Sequence, residues 1–168
     1  MENNNRILQH KKWIDVVCVI GLILVGILTT LPYWNAKGDD AFITFRFVKN
    51  LVEYGQLAYN LGEPIYGFTS PVWLGILAAV YAIVRDMYLS VWIACFLSLT
   101  VCVTVLWVLA TRIIESYLFR ILAIAFLLVD PWFIRWAFTG QEISFKIAVC
   151  AGLMWVTANH VYRIPITW

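Results

Sequence analysis

Two long apolar runs, Ile14 to Leu31 and Tyr88 to Thr111, constrain this chain more than any other feature of its sequence. A transmembrane helix needs roughly 20 mostly apolar residues, because the hydrocarbon core of a bilayer is about 30 Å thick and a helix rises about 1.5 Å per residue. The two runs are 18 and 24 residues long. Hydrophobic residues make up 62% of the chain and charged residues 13%, whereas a soluble domain is about 25% charged. The sequence therefore predicts an all-α integral membrane protein.

The charge and cysteine patterns argue against two other classes of protein. The net charge is only +2 and the basic residues are scattered, so we expect no nucleic-acid partner. All four cysteines lie inside apolar runs and form no C-x-x-C pair. We interpret them as small buried hydrophobic residues rather than as metal ligands.

Two weaker apolar runs raise the predicted number of transmembrane helices to about four. The run from Ile143 to Tyr162 is marred only by Lys146. The run from Tyr117 to Ile134 is interrupted at residues 130–131 by Asp-Pro, where the residue before proline tends to leave the helical region.

The first apolar run follows three basic residues, Arg6, Lys11 and Lys12, as the apolar part of a signal peptide would. It is long for a signal peptide, however, and no A-x-A-like cleavage site follows it. We therefore expect a retained helix over residues 14–31, with residues 1–13 in the cytoplasm.

A short apolar segment from Val72 to Val84 decides the topology. Its 13 residues would reach about 20 Å as a helix, less than a bilayer needs. If it lies in the membrane interface, Arg112, Arg120 and Arg163 all reach the cytoplasm, as the positive-inside rule requires. If it spans the bilayer, these three arginines lie outside and Arg85 lies inside. We favour the interfacial alternative.

The interfacial alternative brings Asp39, Asp40 and Glu142 to one external face, whereas a spanning segment would separate Glu142 from the aspartates. It divides the chain after the first span into two outer loops and three further spans. These are a first outer loop of residues 32–87 with interfacial helices near 40–54 and 72–84, a second outer loop of residues 135–142, and spans over residues 88–111, 117–134 and 143–162.

The first outer loop begins with an amphipathic helix. Asp or Gly at the cap, acidic residues in the first turn and Gly55 at the end predict a helix over Ala41 to Tyr54. Its alternating faces are typical of a helix lying in the membrane interface. The apolar face has Phe45, Val48, Leu51 and Val52, and the polar face has Arg46, Lys49, Asn50 and Glu53. The glycines and prolines of residues 55–73 then predict an ordered loop, a kind of segment that often holds a ligand.

Three blocks of this sequence resemble the polytopic GT-C glycosyltransferases, in particular the arabinofuranosyltransferase-like and related bacterial lipid-linked sugar transferases. The blocks are DDAFITFRFVKNL from Asp39 to Leu51, YNLGEPIYGFTSPVW from Tyr59 to Trp73 and TGQEIS from Thr139 to Ser144. Together with the first helix, their order and spacing resemble that family's first two outer loops. The resemblance runs from about Trp13 to Arg163.

The resemblance implies a hexosyl or pentosyl transfer from a polyprenyl-phosphate donor to a glycan or lipid acceptor, with inversion, at the outer face of the bacterial cytoplasmic membrane. One of Asp39 and Asp40 would be the general base that takes the proton from an acceptor hydroxyl, which is worth roughly 100 to 10,000-fold. Glu142 matches the acid of the family's second outer loop and would orient the acceptor. With the two aspartates it would otherwise complete a site for Mg²⁺, Mn²⁺ or Ca²⁺.

A phosphate leaving group calls for a nearby cation. Arg46 lies about two helical turns after Asp39 and is the first candidate, and Arg135 and Lys146 flank the Glu142 block. Ordinary contact with lipid headgroups would explain Arg46 equally well.

Further polar residues complete the predicted substrate-binding set. Lys146 lies one turn beyond Glu142 and would pair with it or with Asp130. Asn60 and Glu63, from the glycine-rich block, are the other two candidates.

Members of this superfamily are usually several times longer and have about ten or more membrane helices. We therefore expect a truncated family member, a chain completed by a second polypeptide, or one that has lost catalysis. The alternative function is a non-catalytic membrane module that binds polyprenyl lipid or a partner membrane protein.

Overall fold

The computed structural model describes residues 2–33, 35–63 and 65–161. Within these ranges the chain is helical and has no β-strand, as predicted. The α-helices are α1 (Glu2–Thr30), α2 (Asp39–Tyr54), α3 (Pro71–Val84), α4 (Met87–Ile113), α5 (Tyr117–Val129), α6 (Pro131–Phe138) and α7 (Ile143–Val161). The end of the last predicted span, at Tyr162, and the predicted cytoplasmic Arg163 lie outside the described residues.

Two helices in the described part of the chain are long and apolar enough to cross a membrane, Gln9–Tyr33 and Met87–Ile113. The pair α5 and α6 would make a third if it acts as one span. The helix α7 is not among these candidates, and it carries Lys146 near its start and Asn159 and His160 near its end. The described part of the chain is thus consistent with the predicted all-α membrane protein and has two or three candidate spans, and the predicted number of four is not shown.

The predicted run from Tyr117 to Ile134 is not one straight helix. It breaks at Asp130, and α5 and α6 meet at an angle of 64°. Asp130 has an extended backbone, as the residue before a proline prefers, and its carboxylate accepts a hydrogen bond from the backbone N–H of Phe133 at 2.6 Å. Because α6 continues to Phe138, the connection to α7 is shorter than the predicted outer loop of residues 135–142.

The helices α1 and α4 run antiparallel. Near the start of α1, Asp15 accepts a hydrogen bond from the indole Nε1 of Trp107, late in α4, at 3.2 Å. Farther along, Gly26 lies so close to Leu99 that a Cβ there would be 2.9 Å from Leu99 Cδ2. The chain following α1 therefore reaches the end of the bundle at which α4 begins. The first apolar run, Ile14 to Leu31, therefore includes one acidic residue, Asp15, near its start.

The helices α4 and α7 run in the same direction and pack closely. Gly140, just before α7, contacts Cys95 in the first third of α4, and a Cβ on Gly152 would lie 4.0 Å from Val105. The start of α7 thus lies at the same end of the bundle as the starts of α2 and α4. We call this the loop end.

The helix α3 also begins at the loop end. The indole of Trp73 donates a hydrogen bond to the carbonyl oxygen of Gly140 at 3.0 Å, and the ring of Trp92 in α4 lies 5.0 Å from that of Phe138. Two successive helices, α3 and α4, therefore both start beside residues 138–140. This relation is the one expected of an α3 that lies along the membrane interface; its depth and the orientation of the chain stay predictions.

The helix α2 ends at Tyr54 as predicted, with Gly55 as its left-handed cap at φ 68°, and it begins at Asp39, two residues before the predicted Ala41. Its apolar face, however, packs inside the protein. Phe47 and Val48 are fully buried and Phe45 is nearly so, whereas Phe42, Ile43 and the final Tyr54 are exposed. Phe45, on the face expected to lie against the membrane interface, is instead covered by α3 and residues 139–140.

Candidate functional site

Asp39 and Asp40 occupy the first turn of α2, and both are exposed. The cap of the helix is Gly38, which has no side chain with which to cap. Neither carboxylate makes a hydrogen bond or an ion pair with any residue that the structure describes. The pair is therefore not used as a side-chain cap, and both groups face outward at the positive end of the helix dipole.

The loop between α6 and α7 packs directly against this first turn. The backbone N–H of Gly38 donates a hydrogen bond to the carbonyl oxygen of Thr139 at 3.1 Å. Gly140 has a φ of +94°, and a Cβ on it would lie 2.8 Å from Phe45 Cζ and 3.0 Å from Ala41 Cβ. Only glycine fits this backbone conformation and this close approach. The TGQE block and the DDAF block thus meet, as a shared site requires.

The side chain of Gln141 lies over Gly38. Its Nε2 would be 3.3 Å from a Cβ placed on Gly38, so the amide lies next to the residue that precedes the two aspartates. Sequence reasoning included Gln141 only as a member of its block. Its position directly before Glu142 was the signal that could have marked it.

Glu142 follows this contact segment, but its carboxylate turns to α7. Its Oε1 pairs with Lys146 Nζ at 2.5 Å, where the side chain of Glu142 is 12% exposed and that of Lys146 is 59% exposed. Of the two predicted partners for Lys146, Glu142 is therefore the actual one. Asp130 caps α6 instead.

Lys37 is a residue of this end that sequence reasoning missed. Its ammonium group lies 5.7 Å from the ring centre of Trp92, and its side chain is half-buried below the junction of Gly38 and Thr139. Burial lowers the pKa of Lys37, and neighbouring Cys95 opposes this in part. The sequence shows that a lysine precedes the aspartates by two residues. It does not show that this lysine is half-buried, because that depends on its packing against Trp92 of α4.

Arg46 lies on the same helix as the aspartates and is tied to the loop that follows. Its Nε donates a hydrogen bond to the carbonyl oxygen of Tyr59 at 2.9 Å, and its guanidinium lies 5.0 Å from the Tyr59 ring centre. Asn50 was predicted on the polar face, but it is buried and donates to the carbonyl oxygens of Ala58 and Tyr59. The loop predicted to be ordered is thus held to α2 by two side chains.

Asn60 and Glu63 form a pair of their own. Asn60 Nδ2 donates to Glu63 Oε2 at 3.1 Å within a tight turn, and both residues are exposed. Neither contacts Asp39, Asp40 or Glu142 in the described part of the chain. The structure does not bring them into the cluster at the start of α2.

Arg135 lines a separate open pocket. This pocket, of about 290 Å³, has Arg135 and the exposed Trp132 on α6, with Tyr33 and Ala36 opposite. The guanidinium of Arg135 lies 5.8 Å from the Trp136 ring centre. The predicted substrate-binding residues are therefore distributed over four places: α2, the loop after α2, α6 and the start of α7.

The predicted metal site does not form a ready set of ligands. Across the described residues, no three His, Cys, Asp or Glu side chains cluster closely enough to hold a metal ion. Glu142 is already paired with Lys146. A role for Mg²⁺, Mn²⁺ or Ca²⁺ stays a prediction.

Comparisons of this chain with family models, with characterised proteins and with solved structures find no match. The residues at the loop end are thus the basis for a functional proposal.

Proposed function

We propose that this protein is a membrane glycosyltransferase, acting alone or with a second polypeptide, that transfers a sugar from a polyprenyl-phosphate donor to a glycan or lipid acceptor at the membrane surface. One observation carries the proposal. Asp39 and Asp40 are exposed and unpartnered within the described residues, although the adjacent loop and helix are tightly fixed. Free carboxylates on a rigid frame are what general-base catalysis needs.

The reaction assigns one aspartate a defined proton transfer. A carboxylate of Asp39 or Asp40 accepts the proton of an acceptor hydroxyl, while the hydroxyl oxygen attacks the anomeric carbon of the donor sugar. The bond from that carbon to the phosphate oxygen breaks, and the polyprenyl phosphate leaves with the bonding electron pair. Attack opposite the leaving group inverts the anomeric centre.

Two cations near the loop end support the departure of a phosphate. Arg46 is fixed through its Nε and the Tyr59 ring, so its outer nitrogens stay available for an anionic oxygen. Lys146 is the second, and its exposed ammonium group is positioned by Glu142. Arg135 with Trp132 offers a different pocket, whose cation and exposed indole suit a sugar or its phosphate.

A second candidate function is a non-catalytic module that binds polyprenyl lipid or a partner membrane protein. The favouring observation is the exposed apolar side of α5. Its exposed large side chains are Leu118, Phe119, Leu122, Phe126 and Val129. A lipid-facing helix has the same appearance, so this observation supports the module less strongly than the free aspartates support the enzyme.

Deleting the gene tests the proposal. We expect the deletion strain to lose a sugar from a surface glycan or glycolipid and to accumulate a polyprenyl-phosphate-linked sugar, both measured by mass spectrometry. Complementation with the wild-type chain should reverse both changes. A deletion that changes neither the glycan nor the lipid-linked sugars would contradict the enzyme. A glycan that Asp39→Asn and Asp40→Asn each restore fully would favour the non-catalytic module.

A further inference from the structure

A groove on α2 continues beyond the candidate site toward the start of α4. It has a volume of about 550 Å³ and is open on one side. Its lining combines apolar side chains with two cations and three tyrosines. The lining residues used below are Arg46, Lys49, Tyr54, Tyr81, Met87 and Tyr88.

Lys49 is the cation of this groove that the fold leaves without a partner. It is exposed and makes no hydrogen bond or ion pair with any residue the structure describes. Arg46, one turn earlier, is instead bound to Tyr59. The residues that line the groove include two cations, Arg46 and Lys49, and no Asp or Glu. The nearby Glu53 accepts a hydrogen bond from the Tyr81 hydroxyl at 2.6 Å and does not line the groove. The lining of the groove therefore carries a net positive charge.

Two exposed tyrosines line the groove together with Lys49. Tyr54 and Tyr88 are both 57% exposed and both line the groove. Met87 and Tyr88 are the first residues of α4, which is a candidate membrane span. The first residues of a span lie where hydrocarbon meets headgroups, and tyrosine is enriched there. The groove thus opens at the depth of lipid phosphates.

We propose that this groove binds the phosphate headgroup of an anionic membrane phospholipid, held by Lys49 between Tyr54 and Tyr88. The lysine neutralises the phosphate, and the phenolic hydroxyls donate hydrogen bonds to its oxygens. The acyl chains run down beside the start of α4. This lipid would brace α2 and the junction of α3 and α4 on the membrane surface.

The position of Lys49 separates this occupant from the sugar donor of the proposed reaction. Lys49 lies ten residues after Asp39, about 15 Å along the helix axis. In the donor, the reacting carbon is bonded to a phosphate oxygen, so a donor phosphate at Lys49 would leave that carbon far from Asp39 and Asp40. The phospholipid site goes beyond the proposed function and stands independently of it.

Native mass spectrometry of the full chain released from lipid nanodiscs tests the site. The discs contain phosphatidylcholine with a minor share of phosphatidylglycerol, and the readout is the number and kind of lipids retained. We expect the wild type to retain phosphatidylglycerol selectively. Lys49→Gln should lower that retention about fivefold, the size expected for one cation at an anionic surface, and Lys49→Arg should keep it.

Lys12→Gln is the matched control. It removes one exposed cation near the start of α1, far from the loop end where the groove lies. Equal retention of phosphatidylglycerol in the Lys49→Gln and Lys12→Gln variants would overturn the proposal, as would a wild type with no preference over phosphatidylcholine. Displacement of the bound phosphatidylglycerol by an equal concentration of inorganic phosphate or of polyprenyl phosphate would also overturn it.

The lipid site and the transferase fail in distinguishable ways. Asp39→Asn should leave retention of phosphatidylglycerol unchanged, because that carboxylate does not line the groove. Loss of retention in Lys49→Gln, with wild-type glycan in both Asp39→Asn and Asp40→Asn, would sustain the lipid site while contradicting the general-base assignment of the enzyme.

Discussion

The indole Nε1 of Trp73 donates a buried hydrogen bond to the carbonyl oxygen of Gly140, 67 residues away in the sequence. This bond joins the first turn of α3 to the loop before α7, next to the backbone bond between Gly38 and Thr139. These two hydrogen bonds connect the first predicted outer loop to the second, next to Asp39 and Asp40.

Trp73→Phe should destabilise the protein by about 1–3 kcal/mol, because it leaves a buried carbonyl oxygen without a donor. The thermal unfolding midpoint in detergent, followed by circular dichroism, measures this loss. Trp132→Phe is the control: Trp132 is 67% exposed, and its replacement should change stability by less than about 0.5 kcal/mol. Equal midpoints for the two variants would show that the Trp73 bond does not hold the loops together.

Gly140→Ala should cost about 2–5 kcal/mol, from a positive φ and from contact of the new Cβ with Phe45. Gly62→Ala separates these causes, since Gly62 also has a positive φ, of 85°, but nothing lies within 4 Å of a Cβ there. We expect it to cost only about 1–2 kcal/mol in the same melting experiment. A Gly140→Ala variant no less stable than Gly62→Ala would contradict the tight packing of the two blocks.

Tyr81→Phe should lower stability by about 1 kcal/mol near neutral pH, because Tyr81 donates to Glu53 across α3 and α2. The hydrogen bond to Glu53 raises the pKa of Tyr81, and burial adds to this. A tyrosine whose pKa is higher in the folded state contributes stability that is complete below about pH 10 and is lost as the pH rises through the folded-state pKa.

The difference between wild type and Tyr81→Phe should therefore be constant from neutral pH to about pH 10 and shrink above it. Thermal melts of both proteins at a series of pH values measure this difference. A difference that grows with alkaline pH would contradict the assigned direction.

Lys146→Gln should change stability by less than about 0.5 kcal/mol, since Lys146 is mostly exposed in its pair with Glu142. Glu142→Gln should be equally mild in a melting experiment. If Glu142 orients the acceptor, its replacement should nevertheless lower sugar transfer on the order of tenfold to a hundredfold. A loss of transfer that follows a loss of stability in both variants would assign the pair a structural role only.

Local signals in the sequence predicted the helices well. The acidic first turn and Gly55 bounded α2, and the Asp-Pro dipeptide marked the break between α5 and α6. These features depend on backbone preferences of neighbouring residues, which a sequence displays directly.

Contacts between distant segments were harder to predict. The burial of Asn50 and the partial burial of Lys37 depend on which helix covers which face. The pairing of Trp73 with Gly140 likewise needs the bundle to be assembled first. Topology and the family resemblance predicted that the DDAF and TGQE blocks lie close together. They did not predict which atoms touch, because that depends on how Gly140 packs against Ala41 and Phe45.

Sugar transfer by Asp39→Asn and Asp40→Asn is the most direct test of the catalytic proposal. The variants are expressed in the deletion strain at levels matched to wild type, and the surface glycan is measured by mass spectrometry. Asp86→Asn is the control, because Asp86 is an exposed aspartate that caps α4, and asparagine caps a helix equally well. We predict that at least one of the first two variants lowers transfer by roughly 100-fold or more, while Asp86→Asn retains it. Wild-type transfer by both Asp39→Asn and Asp40→Asn would contradict the assignment of the general base.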